Sequence, residues 1–440
     1  MFKIGKYFTT SSITAGLGIA ILGSLFLYLA YFDLSNRLLE TTAALLFYCF
    51  LLPSDTKTWF WSGFFLSLLW FWWILVSFEH YHMLWAIPIG TLFIGVVYGG
   101  IFWLVAKIAF CISSEPFGDA AKKNTLSKWC LIRTRRSPAL HLGVKATGIL
   151  LLSYLHPLSF DWFKPELMLV HTYLGVQKWQ FTIILVAIIL TQYRKNSLYL
   201  LLVLFAYAPY HTTVSYDNPN ASIVLGNTMT TVEKKWDPKL VNDHIKEVMQ
   251  IINKAISTQK KIVVLPESVF PFFLNNEPKI LEVLLQKSHM ITIVIGALYL
   301  DGATHRNSTY ILQEGNYTIA NKVRLVPFGE SNPLPTWASS WVNHIFFDDA
   351  IDYIASAKPT DFKVAGTQYR NAICYEATSE LLYQNHPKQM IVTSNNGWFI
   401  PSIEPIEQQL LLTFYHRKYG TTIYHSVNMS PSYTIKKQYP

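Results

Sequence analysis

The hydrophobic pattern divides the chain into two halves. Four long stretches, residues 7–32, 58–78, 83–106 and 196–216, contain no Asp, Glu, Lys or Arg. An uncharged apolar run of about 20 residues is long enough to cross a bilayer as a helix. With three shorter runs, the pattern predicts seven spanning helices, at 10–32, 36–53, 58–78, 84–106, 144–160, 178–193 and 196–212. Residues 1–215 are therefore predicted to form a multispanning α-helical membrane domain.

The second half, residues 216–440, has a different pattern, in which short β-branched runs alternate with amphipathic stretches. Helices are predicted at 238–257, 278–288 and 404–419. Strands are predicted at 222–227, 261–265, 291–299, 308–313, 317–324, 362–365, 371–375, 390–394 and 422–428. Alternating strands and helices indicate a layered α/β domain. About 220 residues are enough for such a domain to bury a core of its own.

The charge distribution predicts the orientation of the membrane half. Only 14% of the 440 residues are charged, and the formal net charge is +9. Most of the basic residues of the first half precede the first run or fall in two loops: Lys3, Lys6, Lys107, Lys122, Lys123, Lys128, Arg133, Arg135, Arg136, Lys145, Arg194 and Lys195. The positive-inside rule then places the N-terminus in the cytoplasm, and seven crossings place the second half on the opposite side. Because topology explains the basic excess, we expect no nucleic-acid partner.

Three predicted strand ends carry reactive side chains. Glu267 follows Val263-Val264-Leu265-Pro266, Lys322 ends a β-like run, and Cys374 follows Ala372-Ile373. Sites in open α/β sheets gather at the carboxyl ends of strands. A carboxylate, an ammonium and a thiol that met there would form a nucleophilic set. Glu267 would take the thiol proton, and Lys322 would stabilise an oxyanion and favour the thiolate.

Each of these residues also has an ordinary structural interpretation. A cysteine within Ile-Cys-Tyr is more often a small buried hydrophobe, a glutamate after proline is more often a helix cap or a surface charge, and a lone lysine is usually solvated. Neither a P-loop nor an H-E-x-x-H motif is present, and no cysteine pair has metal-ligand spacing. The spacing of Glu267, Lys322 and Cys374 by itself gives only a hypothesis, and no metal site is predicted.

The motifs around these residues resemble those of a known family. The order and spacing of Glu267, Lys322 and Cys374 resemble the Glu–Lys–Cys triad of the nitrilase, or carbon–nitrogen hydrolase, superfamily. Residues 321–330 (Asn-Lys-Val-Arg-Leu-Val-Pro-Phe-Gly-Glu) and 374–376 (Cys-Tyr-Glu) are similar to segments of the apolipoprotein N-acyltransferase family, its membrane-embedded branch. Residues 155–162 and 402–405 are most similar to the short forms of Helicobacter-like bacteria. Gly296, Asn307-Ser308 and residues 394–399 support the resemblance.

The resemblance implies an αββα sandwich for residues 216–440 and a role for eight residues. Cys374 is implied to be the nucleophile, Glu267 the general base and Lys322 the oxyanion stabiliser. Glu330, Tyr375 and Glu376 match family positions that support the site. Trp236 matches a tryptophan on a mobile arm, and Trp398 is either a wall of a lipid pocket or part of the core. Longer members end in a further spanning helix, whereas the segment after Asn428 is expected to be a short polar tail.

The implied reaction is a two-step acyl transfer at a bacterial inner membrane, with the second half on the periplasmic side. A phospholipid would donate an acyl chain to Cys374, and the N-terminal diacylglyceryl-cysteine of an apolipoprotein would accept it. The resemblance implies no metal or cofactor. Two alternatives remain open: a membrane-tethered amidase or nitrilase that uses water as the second nucleophile, and a non-catalytic nitrilase-like domain of an envelope-assembly protein. A transporter is disfavoured because few ionisable residues lie within the spans.

Overall fold

A computed structural model describes residues 10–116, 134–208, 212–216, 222–335, 339 and 352–438. The chain forms two compact units. The first comprises Met1–Pro157 and Phe163–Tyr210, and the second comprises Leu158–Trp162 and His211–Pro440. Residues 158–162, which the hydrophobic pattern assigned to the membrane domain, thus pack with the second unit. Of the basic residues that carried the topology prediction, Lys3, Lys6, Lys122, Lys123, Lys128 and Arg133 lie outside the described residues.

The first unit is helical. Where the structure describes it, its α-helices are α1 (Thr10–Tyr31), α2 (Arg37–Leu51), α3 (Thr56–Phe71), α4 (Ser77–His80), α5 (Ile87–Ile112), α6 (Pro138–Leu152) and α7 (Lys178–Arg194). Two short strands, β1 (Ser114–Pro116) and β2 (Thr134–Arg136), pair antiparallel. A ten-residue 3₁₀ helix, Ser197–Ala206, follows α7.

Four helical segments among the described residues are long and apolar enough to cross a membrane: Thr10–Tyr31, Thr56–His80, Leu84–Ile112 and Pro138–Ser159. Helices also occupy the other three predicted positions, but α2 has 15 residues, α7 has 17 and Ser197–Ala206 has 10. These three are shorter than the roughly 20 residues of a straight span. The four long segments confirm a multispanning helical half, and the count of seven crossings stays a prediction.

Small residues let two of the long helices approach closely. A Cβ added at Gly95 of α5 would lie 2.5 Å from the Phe64 ring of α3, and one at Gly99 would lie 3.0 Å from the Phe60 carbonyl. This is the packing that a small-xxx-small pattern favours between membrane helices. Phe163 contacts an aromatic cluster in the same unit, with ring centroids 5.3 Å from Tyr98 and 5.4 Å from Trp70.

The described residues of the second unit form two sheets. Its strands are β3 (Thr212–Ser215), β4 (Ile223–Leu225), β5 (Asn227–Thr228), β6 (Ile262–Val264), β7 (Phe270–Phe273), β8 (Thr292–Asp301), β9 (Thr304–Gln313), β10 (Asn316–Asn321), β11 (Asp361–Val364), β12 (Thr367–Ile373), β13 (Gln389–Asn395), β14 (Thr422–Asn428) and β15 (Tyr433–Lys437). One sheet has the order β10-β9-β8-β6-β4, with β7 on β8. The other has the order β11-β12-β13-β14-β15-β3, with β5 on β14. Strands β4, β6 and β8 pair in parallel, as do β12, β13 and β14. The carboxyl ends of each set therefore lie at one edge of its sheet.

The two sheets pack against each other. Their shared core is one apolar cluster, to which the first sheet contributes Ile223, Ile262, Val264, Val294, Ile311 and Ala320, and the second contributes Phe362, Val364, Tyr369 and Ile391. The α-helices in the described part of this unit are α8 (Val232–Lys235), α9 (Val241–Ser257), α10 (Pro278–Lys287) and α11 (Glu404–Tyr419). Val248, Ile252 and Ala255 of α9 pack with Leu284 of α10 on the outer face of the first sheet. The arrangement is the expected αββα sandwich.

The strand and helix pattern of the second half was largely predicted, and the differences have physical reasons. Strands β10 and β12 end at Asn321 and Ile373, before the predicted ends at 324 and 375, because Lys322 and Cys374 leave the sheets. The tail after Asn428 contains β15, whose Tyr433 and Ile435 are buried. Strand β15 lies between β14 and β3, so this segment belongs to the sheet despite its polar composition.

Candidate active site

The three predicted strand ends lead to one cluster, and a residue with left-handed backbone follows each of them, within four residues after β6 and β12 and seven residues after β10. The φ angles are +46° at Ser268, +61° at Phe328 and +51° at Cys374. Such angles are uncommon for residues other than glycine, cost of order 1–3 kcal/mol each and cluster at functional sites. The backbone is thus strained next to Glu267, at Cys374, and within residues 321–330, which we call the lysine segment.

Glu267, Lys322 and Glu330 form a buried ionic group. The Lys322 Nζ lies 3.3 Å from the Glu267 Oε1 and 2.9 Å from the Glu330 Oε1. The Asn307 amide donates to the same two oxygens, at 2.8 and 2.6 Å. The Lys322 side chain is 1% exposed. Two donors therefore hold two carboxylates in one arrangement, which fixes where Glu267 can act.

The electrostatics of this group keep Lys322 charged. Burial lowers the pKa of the Lys322 ammonium, but the carboxylates of Glu267 and Glu330 together raise it by more, so the pKa lies above its ordinary value. The second carboxylate oxygen of Glu330 accepts from the Val326 backbone N–H at 2.8 Å. Lys322 is consequently a fixed cation, suited to stabilising negative charge on a reacting atom rather than to proton transfer.

Gly296 makes room for Glu267. On β8, a Cβ at this position would lie 2.6 Å from the Glu267 Cα and 2.6 Å from the Pro266 carbonyl. The obstructing atoms are backbone and cannot swing aside. The close passage of the Glu267 turn over β8 therefore requires glycine at this position.

Cys374 lies at the carboxyl end of β12, in the same electrostatic environment as Glu267 and Lys322. Burial raises the pKa of the Cys374 thiol above its ordinary value, the Glu267 charge raises it further, and the Lys322 charge lowers it. The Gln408 amide of α11 lies 3.8 Å from the Cys374 sulfur. A thiol in this position needs both a proton acceptor and nearby positive charge before it becomes a nucleophile.

Glu376 connects the cysteine turn to the lysine segment. One of its carboxylate oxygens accepts from the Ile373 N–H at 2.7 Å, and the other accepts from the N–H groups of Val323 and Arg324 at 2.6 and 3.2 Å. Burial raises the pKa of Glu376 to about 7 although these donors lower it. The side chain thus fixes the relative positions of residues 373 and 323, one residue away from Cys374 and Lys322.

Tyr375 binds the segment Leu158–Trp162, which belongs to the same unit. Its hydroxyl donates to the Ser159 carbonyl at 3.0 Å and accepts from the Asp161 N–H at 3.1 Å. Its ring stacks with Phe160 and with Trp162, both at 6.2 Å between centroids. The residue that follows the cysteine is therefore held both by ring contacts and by the hydrogen bonds of its hydroxyl.

The two tryptophans that the resemblance named are placed differently from the ionic group. Trp236 directly follows α8 and is 45% exposed, whereas its neighbour Lys235 is buried. Trp398 lies in the 3₁₀ turn Asn396–Phe399 after β13 and is partly buried. The structure thus brings Glu267, Lys322, Glu330 and the cysteine turn together, but it gives Trp236 an exposed position.

Sequence reasoning missed four polar residues of the site as functional groups: Asn307, Lys235, Glu404 and Gln408. Asn307 appeared only as a supporting match, and Lys235 lies in Glu233-Lys234-Lys235, which has the composition of a solvated surface. Glu404 and Gln408 lie one turn apart on α11, hence on one face. The structure buries both side chains, but the helix has a mixed polar and apolar sequence that does not mark either of them. Among the described residues, no group of three His, Cys, Asp or Glu side chains is placed to hold a metal ion.

Comparison with known proteins gives consistent matches. The family described as "Apolipoprotein N-acyltransferase integral membrane domain" matches residues 10–211. Apolipoprotein N-acyltransferase of Wolinella succinogenes is 38% identical over 430 residues, which cover 97% of this chain and 96% of the relative. The protein of the same name from Campylobacter jejuni is 31% identical, with 97% of this chain and 88% of the relative covered. A solved CN-hydrolase superfamily protein from Xanthomonas campestris is similar at 12% identity and a TM-score of 0.36, over 50% of this chain and 76% of that chain.

The fold and the site define a multispanning membrane protein whose second half is an αββα sandwich that carries a buried carboxylate–lysine group and a cysteine at its strand ends. The similarity to the Wolinella protein extends over both halves and nearly the full length of each chain. The chain belongs to the apolipoprotein N-acyltransferase family.

Proposed function

We propose that this protein is an acyltransferase that moves an acyl chain from a phospholipid to the N-terminal diacylglyceryl-cysteine of apolipoproteins. The observation that carries the proposal is the buried group of Glu267, Lys322, Glu330 and Asn307, which shares its electrostatic environment with Cys374. Both proposed substrates are lipid-bearing and reach the enzyme through a bilayer, which accounts for an apolar half attached to a hydrolase-like site.

In the proposed first step, Glu267 takes the proton of the Cys374 thiol. The thiolate attacks the ester carbonyl carbon of the phospholipid, and the oxyanion that forms is stabilised by the Lys322 ammonium. Collapse of the tetrahedral intermediate breaks the ester C–O bond. The departing lysophospholipid oxygen recovers the proton from Glu267, and a thioester remains on Cys374.

In the proposed second step, the deprotonated α-amine of the apolipoprotein attacks the thioester carbonyl. Glu267 accepts a proton from this amine, and the tetrahedral intermediate collapses with breakage of the C–S bond. The proton passes to the sulfur, so the amide product leaves the thiol and carboxylate in their starting states. Every proton and bond in the cycle is accounted for by this chain and its two substrates, without a metal or cofactor step.

The supporting residues have distinct parts in this proposal. Glu330 holds Lys322 in place, Glu376 positions the turns that carry Cys374 and Lys322, and Tyr375 anchors the cysteine turn. Trp236 and Trp398 are proposed to contact lipid. We further propose seven crossings in residues 1–215, with the N-terminus in the cytoplasm of a bacterium, and residues 216–440 on the periplasmic side of the inner membrane.

The test is a two-stage acylation assay on the purified full-length protein in detergent. Phospholipid labelled in its acyl chains is expected to form a hydroxylamine-sensitive adduct on Cys374, which Cys374→Ala abolishes. Cys49→Ala is the matched control, because Cys49 is the other free cysteine among the described residues, and it should leave the adduct unchanged.

Addition of a diacylated lipopeptide then distinguishes the alternatives. Transfer of label to the peptide α-amine supports the proposal. Release of free fatty acid alone, at a rate that the lipopeptide does not affect, would indicate a hydrolase and overturn it. No adduct on a folded preparation would overturn a catalytic role altogether.

A further inference from the structure

The ionic group described above lacks the positive charge that a thiolate requires. Glu267 and Glu330 carry two negative charges, whereas Lys322, which lies between the two carboxylates, supplies only one positive charge. Formation of the Cys374 thiolate moves a proton to Glu267 and leaves the total charge unchanged. With Lys322 as the only cation, the thiolate would form in a buried site that already has one excess negative charge, which is costly.

A second lysine lies beside this group. Lys235, the last residue of α8, is 3% exposed, and its Nζ donates to the Glu267 backbone carbonyl at 3.2 Å. Among the described residues no carboxylate lies within 4 Å of it, so its charge is not consumed by a close ion pair. A buried lysine without a carboxylate partner is rare, because the ammonium loses its hydration without full compensation.

The charge of Lys235 acts on the reacting groups. Burial lowers the pKa of Lys235 to about 8, and the charges of Glu267 and Cys374 raise it against that effect. By reciprocity, the ammonium stabilises a negative charge on either of those two groups. Of the other titratable groups described, Lys322 and Glu404 of α11 act on the thiol, whereas Glu330 and Glu376 act on Lys322.

We infer that Lys235 is a second active-site cation, which neutralises the ionic group and favours the thiolate of Cys374, while its hydrogen bond positions the Glu267 turn. It acts through Glu267 and through its charge, and is therefore a positioning residue. With Lys235 charged, two carboxylates face two ammonium groups. The proton that leaves the sulfur for Glu267 then leaves one thiolate and one carboxylate opposite two cations.

The inference rests on the proposed nucleophile but can be tested without lipid. Iodoacetamide alkylates thiolates, so the rate of Cys374 modification, followed by mass spectrometry of its peptide across pH, reports the thiolate population of the intact protein. An opposite charge within about 4–6 Å shifts a pKa by about 1–3 units. Lys235→Met should therefore slow alkylation by about tenfold or more at a fixed pH below 8, where Lys235 carries its charge.

Two further variants separate charge from hydrogen bonding. Lys235→Arg keeps the charge and should stay within about twofold of the wild-type rate. Lys235→Gln keeps a donor for the Glu267 carbonyl without the charge, and it should slow alkylation as the methionine variant does. It also provides the charge-removal test if Lys235→Met does not fold. Lys234→Met is the matched control, since Lys234 lies in the same helix and is exposed.

The outcomes are distinct from those of the acylation assay. A wild-type alkylation rate below pH 8 in a folded Lys235→Gln protein would overturn the inference, whatever acyl transfer is found. Slowed alkylation below pH 8 together with no transfer to the lipopeptide would instead support the role of Lys235 and overturn the proposed function. In the acylation assay, Lys235→Gln should lower the rate of adduct formation at saturating lipid with little change in the lipid concentration for half-maximal rate.

Discussion

The hydroxyl of Tyr375 donates a 3.0 Å hydrogen bond to the backbone carbonyl of Ser159, a residue 216 positions earlier in the chain. The Asp161 N–H donates back to the same hydroxyl at 3.1 Å. Arg324, two residues after Lys322, reaches the same segment with its guanidinium 3.5 Å from the Asp161 carboxylate. A five-residue segment between helices thus contacts both the cysteine turn and the lysine segment.

Removal of the Tyr375 hydroxyl should separate its polar and packing roles. Tyr375→Phe keeps the stacking on Phe160 and Trp162 but leaves the Ser159 carbonyl and the Asp161 N–H without this partner. We expect a loss of about 1–3 kcal/mol in unfolding free energy, with slower Cys374 acylation. Tyr375→Ala should cost more, about 3–5 kcal/mol, because the ring is lost as well. Denaturant unfolding in detergent measures both.

The control for this series is Tyr317→Phe, because Tyr317 is an exposed tyrosine on β10. It should behave as wild type. Equal stability of Tyr375→Phe and wild type would show that the segment 158–162 is held by its ring contacts alone.

Gly296→Ala should displace the general base that we propose. The added Cβ would meet the Glu267 Cα at 2.6 Å and the Ser268 nitrogen at 2.7 Å, and neither can move without moving the turn. A shift of about 1 Å in a catalytic group costs about 100-fold in rate. We therefore expect at least that loss in Cys374 acylation at unchanged lipid binding. In Gly143→Ala, the control, the new Cβ meets no described atom within 4 Å and activity should persist. Full activity of Gly296→Ala would contradict the proposed position of the base.

The sequence was sufficient for the elements whose own pattern defines them. The run Val263-Val264-Leu265 and the run Met390-Ile391-Val392 are buried strands in both the prediction and the structure, because continuous apolar β-branched residues have few other stable arrangements. The carboxyl end of a buried strand also predicted where Glu267 and Cys374 would lie. Local pattern and spacing were enough for these positions.

The rest depends on contacts that a local pattern does not contain. The sequence of β15 predicts a polar tail, but the segment forms a strand because β14 and β3 pair with it on both sides. The sequence predicts the end of a membrane span at 158–162, whereas in the structure this segment contacts Tyr375 and belongs to the second unit. Lys235 reads as a surface lysine until the Glu267 carbonyl is seen beside it. In each case a distant residue decides the environment.

Asn307→Asp should disable the ionic group although it changes the side chain by a single atom. The Asn307 amide now donates to Glu267 and Glu330 at 2.8 and 2.6 Å, and a carboxylate at that position would repel both. We expect a loss of at least about 100-fold in acylation, equivalent to about 2.7 kcal/mol, and reduced stability. Asn316→Asp, at an exposed position on β10, is the control. An active Asn307→Asp enzyme would show that Glu267 does not depend on this donor.

Glu404 should make the stability of the second unit depend on pH. It is 2% exposed, its Oε2 has no hydrogen-bond partner among the described residues, and burial together with the Glu267 charge raises its pKa from 4.5 to about 8. Because the folded-state pKa is raised, the protonated side chain contributes to the free energy of unfolding; this contribution is fully present below pH 4.5 and is lost as pH rises through about 8. At about 1.4 kcal/mol per pKa unit the upper bound is several kcal/mol. The Gln side chain of Glu404→Gln is neutral at every pH, so the free energy of unfolding of this variant should fall less steeply from pH 5 to 9 than that of wild type. Glu282→Gln is the control, because Glu282 is exposed on α10, and it should follow the wild-type curve. Parallel curves for Glu404→Gln and wild type would mean that Glu404 is ionised throughout this range and that another group compensates its charge.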